Sequence, residues 1–104
     1  MWWRGQHLNE VRKGRDGRAW HFRVWHDFVD GVYIQRVFFW DADKSETGAI
    51  EFAGDKALHV SRLRQSIGKL VREPRYRSLH RRPLRFPVER EYRKYAPFEQ
   101  LLSL

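Results

Sequence analysis

Asp30-Gly31 separates two runs of aromatic and β-branched residues, Arg18 to Val29 and Val32 to Trp40. Asp-Gly in that setting commits the chain to a two-residue hairpin turn, because the turn that matches strand twist needs φ > 0 at both central positions. With Val29 set opposite Val32, every later pair follows. One face then carries Phe28 with Tyr33, His26 with Gln35, Val24 with Val37, Phe22 with Phe39, and Trp20. The other carries Asp27 with Ile34, Trp25 with Arg36, Arg23 with Phe38, and His21 with Trp40. The first face reads as a core. The second interleaves rings with basic groups, and a slip of one residue would exchange the two.

The rest of the chain is read outward from this hairpin. Trp2 to Val11 supplies a further strand, joined through Arg12-Lys13-Gly14-Arg15-Asp16-Gly17. Asp41 to Gly48 reads as a turn and Ala49 to Ala53 as a short strand. Asp55 is a helix N-cap, and Val60, Leu63, Ile67, Leu70 and Val71 fall on one helical face, with Arg62, Ser66, Lys69 and Glu73 opposite. Pro74 stops that helix. Gly68 lowers its propensity, which points to a close packing contact there. Pro83 and Pro87 bracket Leu84-Arg85-Phe86 as an extended edge segment. Val88, Tyr92 and Tyr95 suit one side of a short helix, and Phe98, Leu101, Leu102 and Leu104 form an apolar end that docks on the domain or on a second copy as a homodimer contact. The fold expected is α+β: an antiparallel sheet of three to five strands packed on one main helix, with an Arg-rich irregular C-terminal segment. Residues 1–104 make one domain, with strands over 1–53, the helix over 55–73 and the basic segment over 75–104.

Charge is distributed unevenly along that plan. The chain carries 21 Lys and Arg against 13 Asp and Glu, a net of +8. Residues 1–55 have a net charge of −1 and residues 56–104 one of +9. Arginine dominates, and its planar fork grips phosphates and base edges and stacks on rings in ways lysine does not. An Arg-rich balance of this kind points to a polyanion partner. No apolar run reaches the roughly 20 residues of a membrane span. The first residues lack the apolar stretch of a secretory signal, which gives a cytoplasmic expectation. The chain has no cysteine, which excludes disulfides, thiol catalysis and Cys-based zinc sites.

Two sets of residues carry the functional expectation. His21, Arg23, Trp25, Arg36, Phe38 and Trp40 would present rings for stacking and forks for base edges. Arg75, Arg77, Arg81, Arg82, Arg85 and Arg93 would hold phosphates. The alternative for the first set is that the C-terminal segment covers it. Lys13-Gly14-Arg15-Asp16-Gly17-Arg18, the aromatic hairpin and Leu63-Arg64-Gln65-Ser66-Ile67 together resemble the AP2-like and integrase amino-terminal DNA-binding domains, from about Val11 to Val71. The resemblance implies a three-stranded sheet backed by one helix, with Arg23, Trp25, Arg36 and Trp40 as base readers in duplex DNA. That favours DNA over RNA.

Other chemistries have less in the sequence. No cofactor is implied. His21 and His26 point to opposite faces of a regular strand, so they make no metal pair. Asp41, Asp43 and Ser45 match the start of a calcium loop, but Glu46 stands where its glycine belongs and Phe52 where its final glutamate belongs. A ribonuclease toxin built on His21, His26, His59, His80 or Tyr33 needs only a base, an acid and a cation, though no catalytic motif is present. A protein-interaction module or inhibitor, of mobile-element or phage type or a small subunit of a nucleoprotein complex, would turn the same charge toward an acidic protein surface.

Overall fold

A computed structural model describes residues 5–88 of the chain. Arg93, the helix expected through Tyr92 and Tyr95, and the apolar end from Phe98 lie outside the described residues. Four strands, β1 (Gly5–Lys13), β2 (Ala19–Val29), β3 (Val32–Asp41) and β4 (Thr47–Gly54), form one antiparallel sheet in sequential order. Two helices follow, α1 (Val60–Arg72) and the short α2 (Pro74–Leu79). The architecture is α+β.

The hairpin register is the one the turn dictates. Val29 pairs with Val32, Trp25 with Arg36 and His21 with Trp40, around Asp30 at φ 52° and Gly31 at φ 79°. Trp20, Phe22, Val24, Val37 and Phe39 point to one face and are buried with Ile50 of β4 and Leu63, Ile67 and Leu70 of α1. Phe28 departs from the expectation. It is 37% exposed and leans on Tyr33 at 4.6 Å, because α1 does not reach the turn end of the hairpin. Val60 is likewise only partly buried.

Helix α1 starts later than expected. Asp55 is not its cap; His59 is, with its Nδ1 accepting the Ser61 N–H at 3.2 Å. Pro74 ends α1 and also opens α2 at its first position, where a missing N–H costs nothing. The basic segment therefore begins as a helix and turns irregular afterwards. Gly68 is buried, and a Cβ there would meet the guanidinium groups of Arg72 and Arg12. The close contact inferred from the sequence is thus made by arginine ends.

Beyond α2 the chain crosses the outer edge of β4. Gly48 bridges Arg81, Ala49 N–H donates to His80 O at 3.1 Å, and Arg82 N–H donates to Thr47 O at 3.0 Å. Thr47 Oγ1 returns a hydrogen bond to Arg82 O at 2.5 Å. Gly48 is what allows this approach, since a Cβ on it would collide with the Phe39 ring and with His80 O. Gly48→Ala is therefore expected to destabilise the protein by about 1–3 kcal/mol through overpacking, read as a lower urea midpoint with an unchanged m-value.

From Arg82 the chain runs over the second face of the sheet. Leu84, Phe86 and Val88 pack there with Trp25, Phe38, Trp40 and Ala49. The sheet thus has cover on both sides, a helix on one and an irregular arm on the other.

Candidate nucleic-acid interface

The arm divides the ring-and-Arg face expected to be open. Phe38, at its centre, is 0% exposed; no base can stack on it while Val88 lies over it. Arg36 is 8% exposed and bonds Glu51 at 2.7 Å, so its fork is turned across the sheet to β4. Trp25 is half-buried against the same cluster. These three are corrections to the open face. They follow from a covering segment about fifty residues away in sequence.

His21, Arg23 and Trp40 remain partly exposed. His21 and Trp40, opposite each other across β2 and β3, stack with ring centroids 5.6 Å apart and planes 4° from parallel. Phe86 of the arm meets Trp40 edge-on at 5.3 Å, and Lys44 Nζ sits 4.3 Å from the Phe86 ring centre. Arg23, Trp40, Lys44 and Phe86 line a cleft of about 460 Å³. The arm therefore adds a ring to the strip it leaves open. Lys44 and Phe86 were not foreseen from the sequence, where Phe86 read only as part of a proline-bracketed edge.

The arginines of the second half do not act as one set. Arg77 is 5% exposed, with Nε on Glu46 at 3.1 Å and Nη1 on the α1 carbonyls of Leu70 at 2.8 Å and Val71 at 3.1 Å. Its guanidinium lies 4.4 Å from the Trp20 ring centre. It is an interior cation and reaches no ligand. Arg81 pairs with Glu46 at 3.3 Å while staying exposed, and Arg82 is half-buried along β4. Arg75 and Arg85 are exposed with no acidic partner among the described residues. A further cation group flanks the β1–β2 turn, where Lys13, Arg15 and Arg72 border a cleft of about 230 Å³.

The acids of the Asp41–Gly48 turn serve the turn itself. Asp41 accepts from Ser45 N–H, Ser45 Oγ, Glu46 N–H and Arg18 Nη2, at 2.7, 2.5, 3.1 and 2.8 Å. Burial pushes its carboxyl up, but the Ser45 and Arg18 hydrogen bonds outweigh that and hold it well below the usual carboxylate range. Glu46, also pushed up by burial, is held down by Arg77 and Arg81. Carboxylates depressed in the folded state stabilise it above their unfolded values, near pH 4, and that contribution is lost as pH falls through the folded values. Stability should hold from neutral pH to about pH 5 and then decline with proton uptake. Asp41→Asn should flatten this acid limb in pH-dependent urea melts.

The histidines among the described side chains are not gathered. His26 is buried, His59 caps α1, and His80 meets Tyr76 edge-on at 5.0 Å. Burial pushes His80 below its ordinary value. No group of three His, Asp or Glu side chains suited to a metal ion occurs among the described residues, and none of the described helices is long and apolar enough to cross a membrane. Comparison with protein-family models, curated proteins and solved structures finds no match to the chain.

Proposed function

We propose that the protein binds nucleic acid through the strip of His21, Arg23, Trp40, Lys44 and Phe86, with Arg75 and Arg85 supplying phosphate contacts. The observation that carries this reading is the His21–Trp40 stack, left partly exposed beside the cleft that Arg23 and Lys44 line, after the arm has covered Phe38. Stacked rings at a sheet surface offer a base a further π-face, and each such contact is worth roughly 1–3 kcal/mol. Arg23 lines the cleft beside Trp40, and in this reading it contacts a base edge or phosphate next to that ring. Duplex DNA is the preferred partner on the resemblance of the hairpin and helix to sheet-type DNA-binding domains.

A salt titration on duplex DNA, single-stranded DNA and RNA tests the reading. Steep salt dependence with preference for one of the three is expected. Arg85→Ala should flatten the slope of log K against log salt on duplex DNA by about 0.9. Arg64→Ala serves as the control, because its guanidinium is already tied to Glu10 at 2.8 Å. Equal slopes for both variants would take Arg85 out of the interface. Failure to bind any of the three nucleic acids at micromolar protein would leave the acidic protein partner as the reading.

A further inference from the structure

Two clefts meet on the helix-bearing side, along the outer part of β4. One, of about 460 Å³, lies between β4 and the segment leading into α1, lined by Gln35, Phe52, Lys56, Leu58 and Arg62. The other, of about 250 Å³, shares Phe52, Leu58 and Arg62 and continues to Ser66, Lys69 and Tyr76. Each cleft has a buried polar atom without a partner. Gln35 is 2% exposed; its Oε1 accepts the Leu58 N–H at 2.9 Å, but its Nε2 donates to nothing. Ser66 Oγ is also unpaired, although a helical serine can bond the carbonyl one turn back. Buried polar groups are almost always satisfied. Two orphans in one groove point to a partner that arrives from outside.

The groove's chemistry narrows what that partner is. Phe52 and Leu58 make an apolar wall of the kind that holds a flat ring. The Leu58 bond engages Gln35 Oε1 and leaves the buried Nε2 with N–H groups suited to a ring carbonyl or ring nitrogen. Arg62 borders both clefts without an acidic partner among the described residues, and Lys69 Nζ lies 4.4 Å from the Tyr76 ring centre. Lys56 and the acid Asp55 also line the first cleft. We infer that this groove binds a nucleotide, its base against Phe52 and Leu58 and its phosphate at Arg62 and Lys69, with a local side-chain adjustment admitting the base edge to Gln35 while Leu58 keeps its bond to Oε1. The nucleotide can be free or an unstacked unit of a strand. The site is separate from the His21–Trp40 strip on the other face of the sheet.

Four mononucleotides, the matching nucleosides and a short single strand are titrated into the isotope-labelled protein at millimolar ligand, following the Gln35 side-chain amide and the backbone amides of Phe52 and Ser66. At least one mononucleotide is expected to move all three, and its nucleoside to bind more weakly. Arg62→Ala should weaken binding about tenfold through loss of a charge-assisted contact. Ser66→Ala should melt no lower than the parent, having lost an unpaired hydroxyl and gained helix propensity, and yet bind the mononucleotide less tightly. The single strand separates the sources: shifts in the groove with the strand as well as with the mononucleotide assign a strand unit, and shifts with the mononucleotide alone assign a free nucleotide. Absence of shifts in the groove with any mononucleotide, or unchanged affinity in both variants, overturns the inference. When no mononucleotide moves the groove, strand binding seen only at the His21 and Trp40 signals overturns the inference while leaving the proposed function intact. Strand binding in the groove without any response at His21 and Trp40 does the opposite.

Discussion

Arg77→Ala is expected to remove about 3–5 kcal/mol of folding stability, the cost of breaking a buried ion pair by deleting one partner. At about 4–8 °C per kcal/mol for a domain of this size, the melting temperature should drop by at least about 12 °C. Three parts of the fold meet on this one guanidinium. It closes the last carbonyls of α1 at Leu70 and Val71, it neutralises Glu46 in the turn between β3 and β4, and it lies over Trp20 in the main core. Arg18 and Arg81 still reach Glu46 after the change, but neither bonds the helix carbonyls. Arg77→Met keeps a long apolar stem over Trp20 and separates packing from charge. A smaller loss in Met than in Ala measures the stem, and the remainder belongs to the hydrogen bonds. Near-parental melting for Arg77→Ala, with weaker binding to DNA, would return Arg77 to the phosphate contacts suggested by its sequence neighbourhood.

Trp25→Ala and Trp40→Ala should fail in different ways. Trp25 is half-buried beneath the arm, so its removal opens a void between sheet and arm and costs about 3 kcal/mol, near the lower bound for a truncated core tryptophan. Binding measured well below the melting temperature should change little. Trp40 has one ring neighbour in His21 and another in Phe86, and in the proposed interface its truncation costs roughly 1–3 kcal/mol of affinity. Some stability goes with it because Phe86 loses a contact. Thermal melts and binding isotherms on both variants separate the roles. Equal affinities for the parent and Trp40→Ala would exclude this strip from the interface.

The two sides of the sheet differ in how far the sequence discloses them. The hairpin and its register are legible because strand alternation and an Asp-Gly turn are local, and both act within twelve residues of Asp30. The helix-facing core is legible for the same reason, through the spacing of Leu63, Ile67 and Leu70. The cover on the second face is set by contacts between β3 and residues 84–88, and no short-range period records it. One trace was present all the same: Val37-Phe38-Phe39-Trp40 is a continuous apolar run, the pattern of a strand buried on both sides. Basic composition likewise could not tell Arg77, inside, from Arg75, outside. That distinction comes from which residue follows the turn into α2 on its inner side. The Gln35 and Ser66 orphans had no signal in the sequence, since each reads as an ordinary polar residue until its neighbours are known.

A meander of four strands ends in two open edges, and an open edge can recruit another strand through its unpaired N–H and C=O groups. Residues 80–82 occupy those groups at the Thr47–Ala49 end of β4, using backbone to backbone pairing and a glycine that lets the chains close up. The short length of that contact matters: it blocks the place where a fifth strand would begin to register, yet it commits only three residues. The arm beyond is then free to leave the edge and cross to the aromatic face. One crossing segment thus serves as a stop to sheet growth and as the lid of the second core, so sealing the edge and shaping the binding strip are bound together in the same few residues.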